Sequence, residues 1–371
     1  MHIEKKRIIL ITARADYGGG PEHVFRLLES LAGEYDFFIA CPDDFPYFQK
    51  YSSLIGREKI IVIPHRKFTL SAFLRLLRFI RVKKIQLIHS HGKGGGIYSR
   101  LLSMFSRIEC LHSFHGIHFS SNGFLSFIQK NIEKILSGFT KVFICVSESE
   151  RRLAIQNRIT KSSKIKVIPN GVNISRYKPS DVLLDDNVLK FISITRFDRA
   201  KNSSMIISII KHLRKMNAGK SFRCLLVGDG PEKESIVKKA SVEGLENEIF
   251  FIPFTPEPDK YFQESFCYIS TSLREGLSLS VLEAMSAGVP CILSRVEGNI
   301  DLVTDGVNGF LFDINNPSEA AKCIFKLAGD KNLWKVFSEK SALLIKENFT
   351  VRIMAEKISK LYSELLREKY D

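Results

Sequence analysis

Short apolar runs alternate along the chain with longer amphipathic segments. The runs are residues 7–12, 37–40, 60–63, 86–89 and 142–146 in the first half, and 189–194, 224–227, 249–252, 267–270 and 291–293 in the second. Such runs predict strands that are buried on both faces, and the segments between them predict the helices that cover those faces. The pattern therefore predicts an α/β fold with two doubly wound parallel sheets.

The same pattern predicts how the chain is divided. A length of 371 residues favours more than one domain, and the polar stretch 175–187 is expected to link two of them. We assign residues 1–178 to an N-terminal domain and 188–347 to a C-terminal domain. Two Rossmann-like domains of this kind are expected to face a central cleft.

Charge distinguishes the two halves. The net charge is +15, and residues 1–180 hold 29 Lys and Arg against 13 Asp and Glu, so the whole excess lies in the first half. This imbalance predicts an anionic partner for that half, either a membrane surface or a nucleic acid.

The cysteines and the apolar segments indicate the compartment. Seven cysteines are scattered singly without a metal-binding spacing, which indicates buried thiols in a reducing environment. The first residues lack a signal-peptide pattern, and no apolar stretch is long enough to cross a bilayer. A cytoplasmic protein is expected.

Several loops carry residues suited to a phosphorylated ligand. Gly18, Gly19 and Gly20 precede a helix predicted over 22–32, and Gly228 follows a strand in the second half. Glycine lets backbone approach a phosphate closely, although a simple tight turn explains the first loop equally well. The turn at Gly228 lacks the third glycine of a dinucleotide fingerprint, which argues against a nicotinamide-dependent oxidoreductase.

Cations follow the strand that opens the second half. Arg196 and Lys201 could bind a diphosphate, one as a fork and the other as a point charge. The alternative is that both are ordinary solvated loop residues.

Two carboxylates flank a predicted helix start. Glu275 and Glu283 could accept hydrogen bonds from sugar hydroxyls, while amides at a helix start attract phosphate. Together they fit a sugar attached to a diphosphate. The stretch 280–283 also has the pattern of a capping box, which would give Glu283 a structural role.

The order of these motifs resembles that of one family. The glycine loop at 18–22, the histidine motifs at 89–92 and 114–116, and the Arg196/Lys201 pair are similar to those of GT-B glycosyltransferases of the retaining family 4, bacterial surface-polysaccharide type. Further matching segments are 146–147, 168–172, 227–231, 275–290 and 305–311. The resemblance covers almost every segment, and it implies a GT-B fold and transfer of a sugar from a nucleotide-diphosphate donor. It also implies that residues 348–371 form a helix that returns to the N-terminal domain.

The resemblance also implies roles for residues. The two cations would neutralise the leaving diphosphate, His115 and Glu275 would lie beside the transferred sugar, and Glu283 would bind the ribose. The implied catalytic residues are His115, Glu275, Arg196 and Lys201, and the implied donor contacts are Gly19, Gly20, Arg196, Lys201, Gly228, Phe254, Glu275, Gly276, Leu277, Ser278, Leu279 and Glu283. His89 and His91 are expected to be structural. Pro253, Ser278 and Asp301 depart from the residues common in the family, which leaves the base and the sugar open.

The implied sugar transfer mainly requires positive charge that stabilises the leaving diphosphate. Cationic side chains and helix N-termini can stabilise a leaving diphosphate, and the sequence has no Asp-x-Asp motif, so we expect neither a metal nor any cofactor beyond the nucleotide sugar, here a UDP-sugar. Retention of configuration is implied by the family. Asp16 is the alternative, as the base of an inverting mechanism.

The excess positive charge in the first half of the chain bears on the identity of the acceptor. Residues 65–84 predict an amphipathic helix with a basic ridge, and the loop predicted at 119–125 adds apolar side chains. The residues expected to contact an acceptor or a membrane are Arg75, Arg78, Arg81, Lys84, Phe119 and Phe124. We expect a lipid-diphosphate-linked saccharide or other oligosaccharide as acceptor and a peripheral position on the anionic inner face of the cytoplasmic membrane, as in polysaccharide biosynthesis. An ordinary surface helix is the alternative.

Two other functions remain open on the sequence. A nucleotide-sugar 2-epimerase shares the fold and the donor. A nucleic-acid-binding protein would explain the charge but not the donor motifs, and no recognition motif supports it, so no nucleic acid is expected.

Overall fold

The computed structural model describes residues 4–119, 122–177, 188–216, 221–255 and 257–367. They form two compact units: Met1–Gly171 with Val351–Asp371, and Val172–Thr350. Residues 172–177 thus belong to the C-terminal unit, so the division lies before the predicted position 178. Most of the predicted linker, 178–187, lies outside the described residues.

The N-terminal unit is built on a seven-stranded parallel sheet. Its strands are β1 (Arg7–Thr12), β2 (Asp36–Cys41), β3 (Ile60–Val62), β4 (Leu87–His91), β5 (Cys110–Ser113), β6 (Val142–Cys145) and β7 (Ile165–Val167). The helices between them are α1 (Gly19–Leu31), α2 (Tyr47–Ile55), α3 (Leu70–Val82), α4 (Gly92–Ser106), α5 (Gly123–Leu136) and α6 (Glu148–Gln156). The strand order is β3-β2-β1-β4-β5-β6-β7.

Both faces of this sheet are covered. Successive side chains of a strand point to opposite faces, and in β1 Ile8 and Leu10 belong to one apolar cluster with α1. Ile9 and Ile11 belong to a second cluster with α3 and α4. This explains why β1 is an uninterrupted apolar run rather than an alternating one.

The C-terminal unit repeats the scheme with a six-stranded parallel sheet. Its strands are β8 (Val188–Ile194), β9 (Ser221–Val227), β10 (Ile249–Ile252), β11 (Cys267–Ser270), β12 (Cys291–Ser294) and β13 (Gly309–Phe312). Its helices are α7 (Ser204–Met216), α8 (Lys233–Val242), α9 (Asp259–Gln263), α10 (Leu279–Ser286), α11 (Pro317–Ala328) and α12 (Lys331–Asn348). The strand order is β10-β9-β8-β11-β12-β13.

The last helix, α13 (Val351–Arg367), belongs to the N-terminal unit. Ile358 and Tyr362 lie in the same apolar cluster as β1. The Tyr362 hydroxyl and the His89 Nδ1 atom are 2.6 Å apart, and the Tyr35 hydroxyl donates to the Ser359 carbonyl over 3.1 Å.

The strand order locates the ligand-binding edges. In doubly wound sheets ligands bind at the carboxyl ends of the strands, where the winding direction reverses. That point lies between β1 and β4 in the N-terminal unit and between β8 and β11 in the C-terminal unit. The prediction of two doubly wound parallel sheets is confirmed.

Several element boundaries differ from the sequence prediction. The helix predicted over 22–32 begins earlier, at Gly19. The helix predicted over 65–84 begins only at Leu70, because the Thr69 side chain caps it by accepting from the Ala72 N–H. The loop predicted over 119–125 is in part helix, since Asn122 caps α5 and Phe124 lies in its first turn.

The strands β5, β7 and β13 escaped the sequence prediction. β5 carries His112 and Ser113, whose polarity hides the strand pattern, and β7 is only three residues long. All seven cysteines lie within the described ranges and carry free thiols; six are buried and Cys323 is partly exposed. Among the described residues, no helix has the length and hydrophobicity to span a bilayer.

Candidate active site

The predicted cations lie at the carboxyl end of β8, each bonded to a carboxylate. Arg196 donates from Nε to the Asp198 carboxylate over 2.6 Å and from Nη2 to the same oxygen. Burial alone would raise the pKa of Asp198, but the hydrogen bond and charge of Arg196 outweigh it and the pKa is lowered. Asp198 is therefore ionised and orients the Arg196 guanidinium. The Arg196 side chain is still 44% exposed.

Lys201 reaches Glu275, which follows β11. Its Nζ atom donates to Glu275 Oε1 over 2.5 Å, and the Ser272 hydroxyl donates to the same oxygen over 2.7 Å. No other bond to Glu275 occurs within the described parts of the chain, so Oε2 remains to accept from a ligand hydroxyl. The Glu275 side chain is only 10% exposed, and its charge is balanced by Lys201.

The backbone around this pair is fixed by close packing. The Thr271 hydroxyl donates to the carbonyls of Lys201 and Asn202, over 3.1 Å in each case, which ties the turn after β8 to the segment after β11. A Cβ atom on Gly298 would lie 2.5 Å from the Gly276 carbonyl oxygen. Only glycine at 298 allows the turn at Glu275 to sit where it does.

The helix after Glu275 presents its N-terminus at the same edge. α10 begins at Leu279 with Ser278 at the N-cap position, and the Ser278 side chain makes no capping bond. The capping box predicted at 280–283 is therefore wrong, because Ser280 lies inside the first turn. The amides of that turn have no acceptor within the helix, and such a helix N-terminus attracts anions.

Glu283 instead bonds to a residue that the sequence did not single out. Tyr177 is buried, and its hydroxyl hydrogen-bonds to the Glu283 carboxylate; burial and then the charge of Glu283 raise the pKa of Tyr177. Tyr177 also packs edge-on against Phe262, with ring centroids 5.9 Å apart. Glu283 is partly exposed and lies within the C-terminal unit alongside Tyr177.

Two further predicted donor contacts lie in loops of this unit. Gly228 follows β9, and a Cβ atom there would lie 1.9 Å from the Thr195 carbonyl oxygen, so this glycine lets two loops pack together. Phe254 follows β10 and is 37% exposed. Leu277 is buried, which leaves its backbone rather than its side chain for a ligand.

In the N-terminal unit the glycine loop leads directly into α1. Gly19 and Gly20 are the first residues of this helix, with Gly18 as N-cap, so their amides lack helix acceptors. Asp16 accepts from Arg14 Nε over 2.7 Å. Burial would raise the pKa of Asp16, but the hydrogen bond and charge of Arg14 lower it, so Asp16 is a weak proton acceptor.

His115 belongs to a cluster of buried rings. It follows β5 with a left-handed φ of 56°, a conformation that costs a non-glycine residue energy and is common at functional sites. The His91 Nδ1 and His115 Nε2 atoms are 3.1 Å apart, and the ring centroids of His23 and His115 are 4.5 Å apart. Burial, then the charge of His23, holds the pKa of His115 well below its usual value.

Glu150 on α6 holds the backbone beside His115. Its carboxylate accepts from the Gly116 amide over 2.5 Å and from the Val146 amide over 2.7 Å. Glu150 is 2% exposed. His89, by contrast, bonds to Tyr362 and to Ser113, and its structural role stays a prediction.

The residues predicted to contact a membrane are distributed over several elements. Arg75, Arg78, Arg81 and Lys84 are all exposed along α3 and just beyond its end. Phe124 is 71% exposed on α5. Phe119 is half-buried and packs against the apolar cluster around Phe143.

Two family models match the chain. The model described as Glycosyltransferase Family 4 matches residues 17–176, and the model described as Glycosyl transferases group 1 matches residues 177–364, more than half of the chain. The chain belongs to the group 1 glycosyltransferases. The resemblance inferred from the motifs is thereby confirmed.

Individual relatives agree with this assignment. The Escherichia coli UDP-Gal:alpha-D-GlcNAc-diphosphoundecaprenol alpha-1,3-galactosyltransferase is 25% identical over 313 residues, which cover 81% of each chain. The putative glycosyltransferase EpsD of Bacillus subtilis is 26% identical over 373 residues, covering 94% of this chain and 95% of that one. The crystal structure of Anabaena HepE with UDP and glucose is 18% identical and superposes with a TM-score of 0.83, covering 97% of this chain and all of that one.

The likeness to HepE shows the fold, and the two units of this glycosyltransferase are Rossmann-like domains of the GT-B class. The sequence did not single out three residues of this chain that contact predicted site residues or their neighbours: Asp198, Tyr177 and Glu150. Tyr177 and Glu150 bond to residues distant in sequence, and Asp198 bonds to Arg196 only because of the shape of the loop between them. A carboxylate two residues after Arg196 was the one available signal, and it indicated Asp198 only weakly.

Proposed function

We propose that this glycosyltransferase moves a sugar from a UDP-sugar to a lipid-diphosphate-linked saccharide during surface-polysaccharide biosynthesis, with retention of anomeric configuration. The name of the Escherichia coli relative supports this choice of donor and acceptor. The observation that carries the proposal is the grouping of Arg196, Lys201 and the N-terminus of α10 at the switch point of the C-terminal sheet.

This grouping suits a departing diphosphate. Lys201 uses one of its three N–H donors on Glu275, which leaves two for phosphate oxygens. Arg196 is held by Asp198 and still half exposed. Donors that are already oriented stabilise charge as it develops in the transition state, without reorganising at that moment.

Glu275 and Glu283 recognise the two ends of the donor in this proposal. Glu275 Oε2 accepts a hydroxyl of the transferred sugar, since Oε1 is already bonded to Lys201 and Ser272. Glu283 accepts the ribose hydroxyls, and Tyr177 orients its carboxylate. In the N-terminal unit, the amides of Gly19 and Gly20 bind phosphate and His115 contacts the sugar.

We infer that the transfer itself needs no metal ion, because these cations and helix dipoles supply the positive charge. Treatment with a chelator, followed by its removal, is expected not to lower the transfer rate. A loss of rate that Mg²⁺ or Mn²⁺ restores would contradict this inference.

The acceptor is proposed to be reached from a membrane surface. α5 exposes Phe124, Leu125, Phe127, Ile128, Ile132 and Ile135. α5 is nevertheless anchored, since Glu133 is buried and accepts from Arg100 Nη1 over 2.6 Å. An apolar helix face on α5, together with the exposed cations of α3 in the same unit, suits the interface of an anionic leaflet.

A thermal-shift panel tests the donor proposal. UDP-, GDP- and ADP-sugars are added to the purified protein, and the melting temperature is expected to rise most with a UDP-sugar, because a ligand that binds only the folded state stabilises it. Glu283→Ala should abolish the shift. The matched control is Glu319→Ala, a carboxylate on α11 of the same unit.

An acceptor assay separates transferase from epimerase activity. The protein is incubated with a UDP-sugar and a lipid-diphosphate-linked saccharide, and the lipid product is analysed by mass spectrometry and by its anomeric NMR signal. Extension by one sugar with the anomeric configuration of the donor is expected. Release of free sugar with no extended lipid would contradict the proposal.

A further inference from the structure

The N-terminal unit contains a group of three histidines with the arrangement of metal ligands. His23 comes from α1, His91 from the end of β4, and His115 from the turn after β5. One ring nitrogen of each lies within 4.8 Å of those of the other two. Three neutral imidazoles that converge from separate elements are the ligand set of open zinc sites, in which a water takes the fourth position.

The distances suit a small four-coordinate ion. Tetrahedral Zn–N bonds place two ligand nitrogens about 3.3 Å apart, and His91 Nδ1 and His115 Nε2 are 3.1 Å apart. The other separations are at most 4.8 Å, so the rings have to move by about 1.5 Å or less to reach the tetrahedral spacing.

The cluster contains a buried nitrogen whose hydrogen-bonding capacity is not used. His91 Nε2 has no hydrogen-bond partner among the described residues, whereas the His23 ring interacts with the Asn170 side chain; the two histidine side chains are 3% and 2% exposed. A buried polar atom without a partner costs about 1–3 kcal/mol. His115 is half-buried and provides the accessible side of the group.

We propose that His23, His91 and His115 bind a Zn²⁺-class ion with one open coordination position, and that the bound ion inhibits the enzyme. The inhibitory part rests on the proposed function, because the ion would occupy the ring nitrogen of His115 and fix a side chain assigned to the sugar. The ion is a regulator here and no participant in the transfer.

Co²⁺ provides a spectroscopic test that needs no turnover. The protein is stripped with a chelator, desalted and titrated with Co²⁺ while the visible spectrum is recorded. The intense absorption of four-coordinate Co²⁺ is expected to saturate at one ion per chain and to vanish when Zn²⁺ displaces it. Absence of such a band in the wild-type protein would overturn the proposal.

Four variants locate the ion. His23→Gln and His91→Gln should each weaken Co²⁺ binding about tenfold or more, and circular dichroism establishes which of them folds. His65→Gln is the matched control, because His65, Asp16 and Asp44 form a second group with metal-binding geometry; His212→Gln on α7 is another. A band kept in the folded His23 and His91 variants, or lost in His65→Gln, would refute the site.

Inhibition is measured separately. Zn²⁺ is expected to slow sugar transfer by the wild-type enzyme reversibly, and His23→Gln should be less sensitive. If the Co²⁺ band appears without inhibition, the site stands and the assigned role of His115 falls. If transfer is never seen while the band appears, the proposed function fails and the site remains.

Discussion

Tyr177 is the residue through which Glu283 is held. Tyr177→Phe removes one hydrogen bond to that carboxylate, and a bond to a charged group contributes about 1.5–3 kcal/mol. We therefore expect donor affinity to fall roughly ten- to hundredfold with little change in the rate at saturation. Titration calorimetry with a UDP-sugar measures this. Tyr261→Phe, on neighbouring α9, is the control, and equal effects of the two changes would contradict the role of Tyr177.

Glu150 is a positioning residue for His115. Glu150→Gln keeps the shape but loses the charge that holds the Gly116 and Val146 amides, and His115 has a left-handed backbone that needs such support. The transfer rate at saturation is expected to fall at least about tenfold while donor affinity in calorimetry changes little. Glu148→Gln on the same helix is the control. Normal rate in Glu150→Gln would end this assignment.

Sequence reasoning located single residues better than their partners. Arg196, Lys201 and Glu275 could be singled out because each follows an apolar run that ends in a polar loop. The Lys201–Glu275 bond joins residues 74 positions apart, and such a pairing depends on the order of the strands, which the apolar pattern does not contain. The bond between Tyr177 and Glu283 escaped prediction for the same reason.

At the scale of elements, α5 tests the membrane proposal. Phe124 and Phe127 are 71% and 66% exposed, and burying such a side chain contributes about 1.5–3 kcal/mol. The double change of both to Ser should lower binding to anionic vesicles roughly a hundredfold. Co-sedimentation at low salt measures it. Val242→Ser on α8, where Val242 is 79% exposed, is the control.

The contribution of the α3 cations is tested separately from that of the apolar face of α5. Arg78→Glu together with Arg81→Glu should weaken binding to anionic vesicles by about 1 kcal/mol per cation. Binding to neutral vesicles should stay unchanged. Equal recovery of wild-type protein with neutral and anionic vesicles would remove the membrane proposal altogether.

The sequence predicted that a strand or helix exists wherever the apolar run was long. It did not predict the residues at which these elements begin and end. The start of α3 is set by the Thr69 cap and that of α5 by the Asn122 cap, and both caps lie inside stretches rich in polar residues. The exposed face of α5 was mistaken for part of a loop because its first turn contains Gly123. Tertiary burial, as at Glu133, also runs against the expectation that charged residues lie outside.

For the whole molecule, buried histidines predict acid sensitivity. Burial lowers the pKa of His89 to about 3 and that of His23 to about 4, below the unfolded value of about 6.5. Between the folded and unfolded pKa values the unfolded chain binds more protons than the folded chain. The contribution of these histidines to the free energy of unfolding is therefore fully present above about pH 6.5 and is lost as the pH falls toward 4. Each such histidine contributes about 1.4 kcal/mol per pH unit.

Urea denaturation at pH 7, 6 and 5 checks this expectation. The midpoint by circular dichroism should fall across the series, and His89→Gln should reduce the fall by the share of one histidine. His212→Gln, in the C-terminal unit, is the matched control. Identical midpoints at pH 7 and pH 5 would contradict the account.

The architecture of the molecule was the most predictable level. Two series of apolar strands separated by helices allow few arrangements, because crossovers between parallel strands are right-handed and helices must cover both faces. The return of α13 to the first unit could be expected only from the family resemblance, since the helix itself carries no signal of its partner.

The central claim is that Arg196 and Lys201 stabilise the diphosphate as it leaves. The most direct measurement is the transfer rate of the double variant Arg196→Ala, Lys201→Ala, compared with the control Lys190→Ala, which breaks a surface pair with Glu264 in the same unit. Removing one oriented donor typically costs about a hundredfold or more in rate. We predict a loss of at least about a thousandfold for the double variant and wild-type rate for the control; full turnover without both cations would contradict the account.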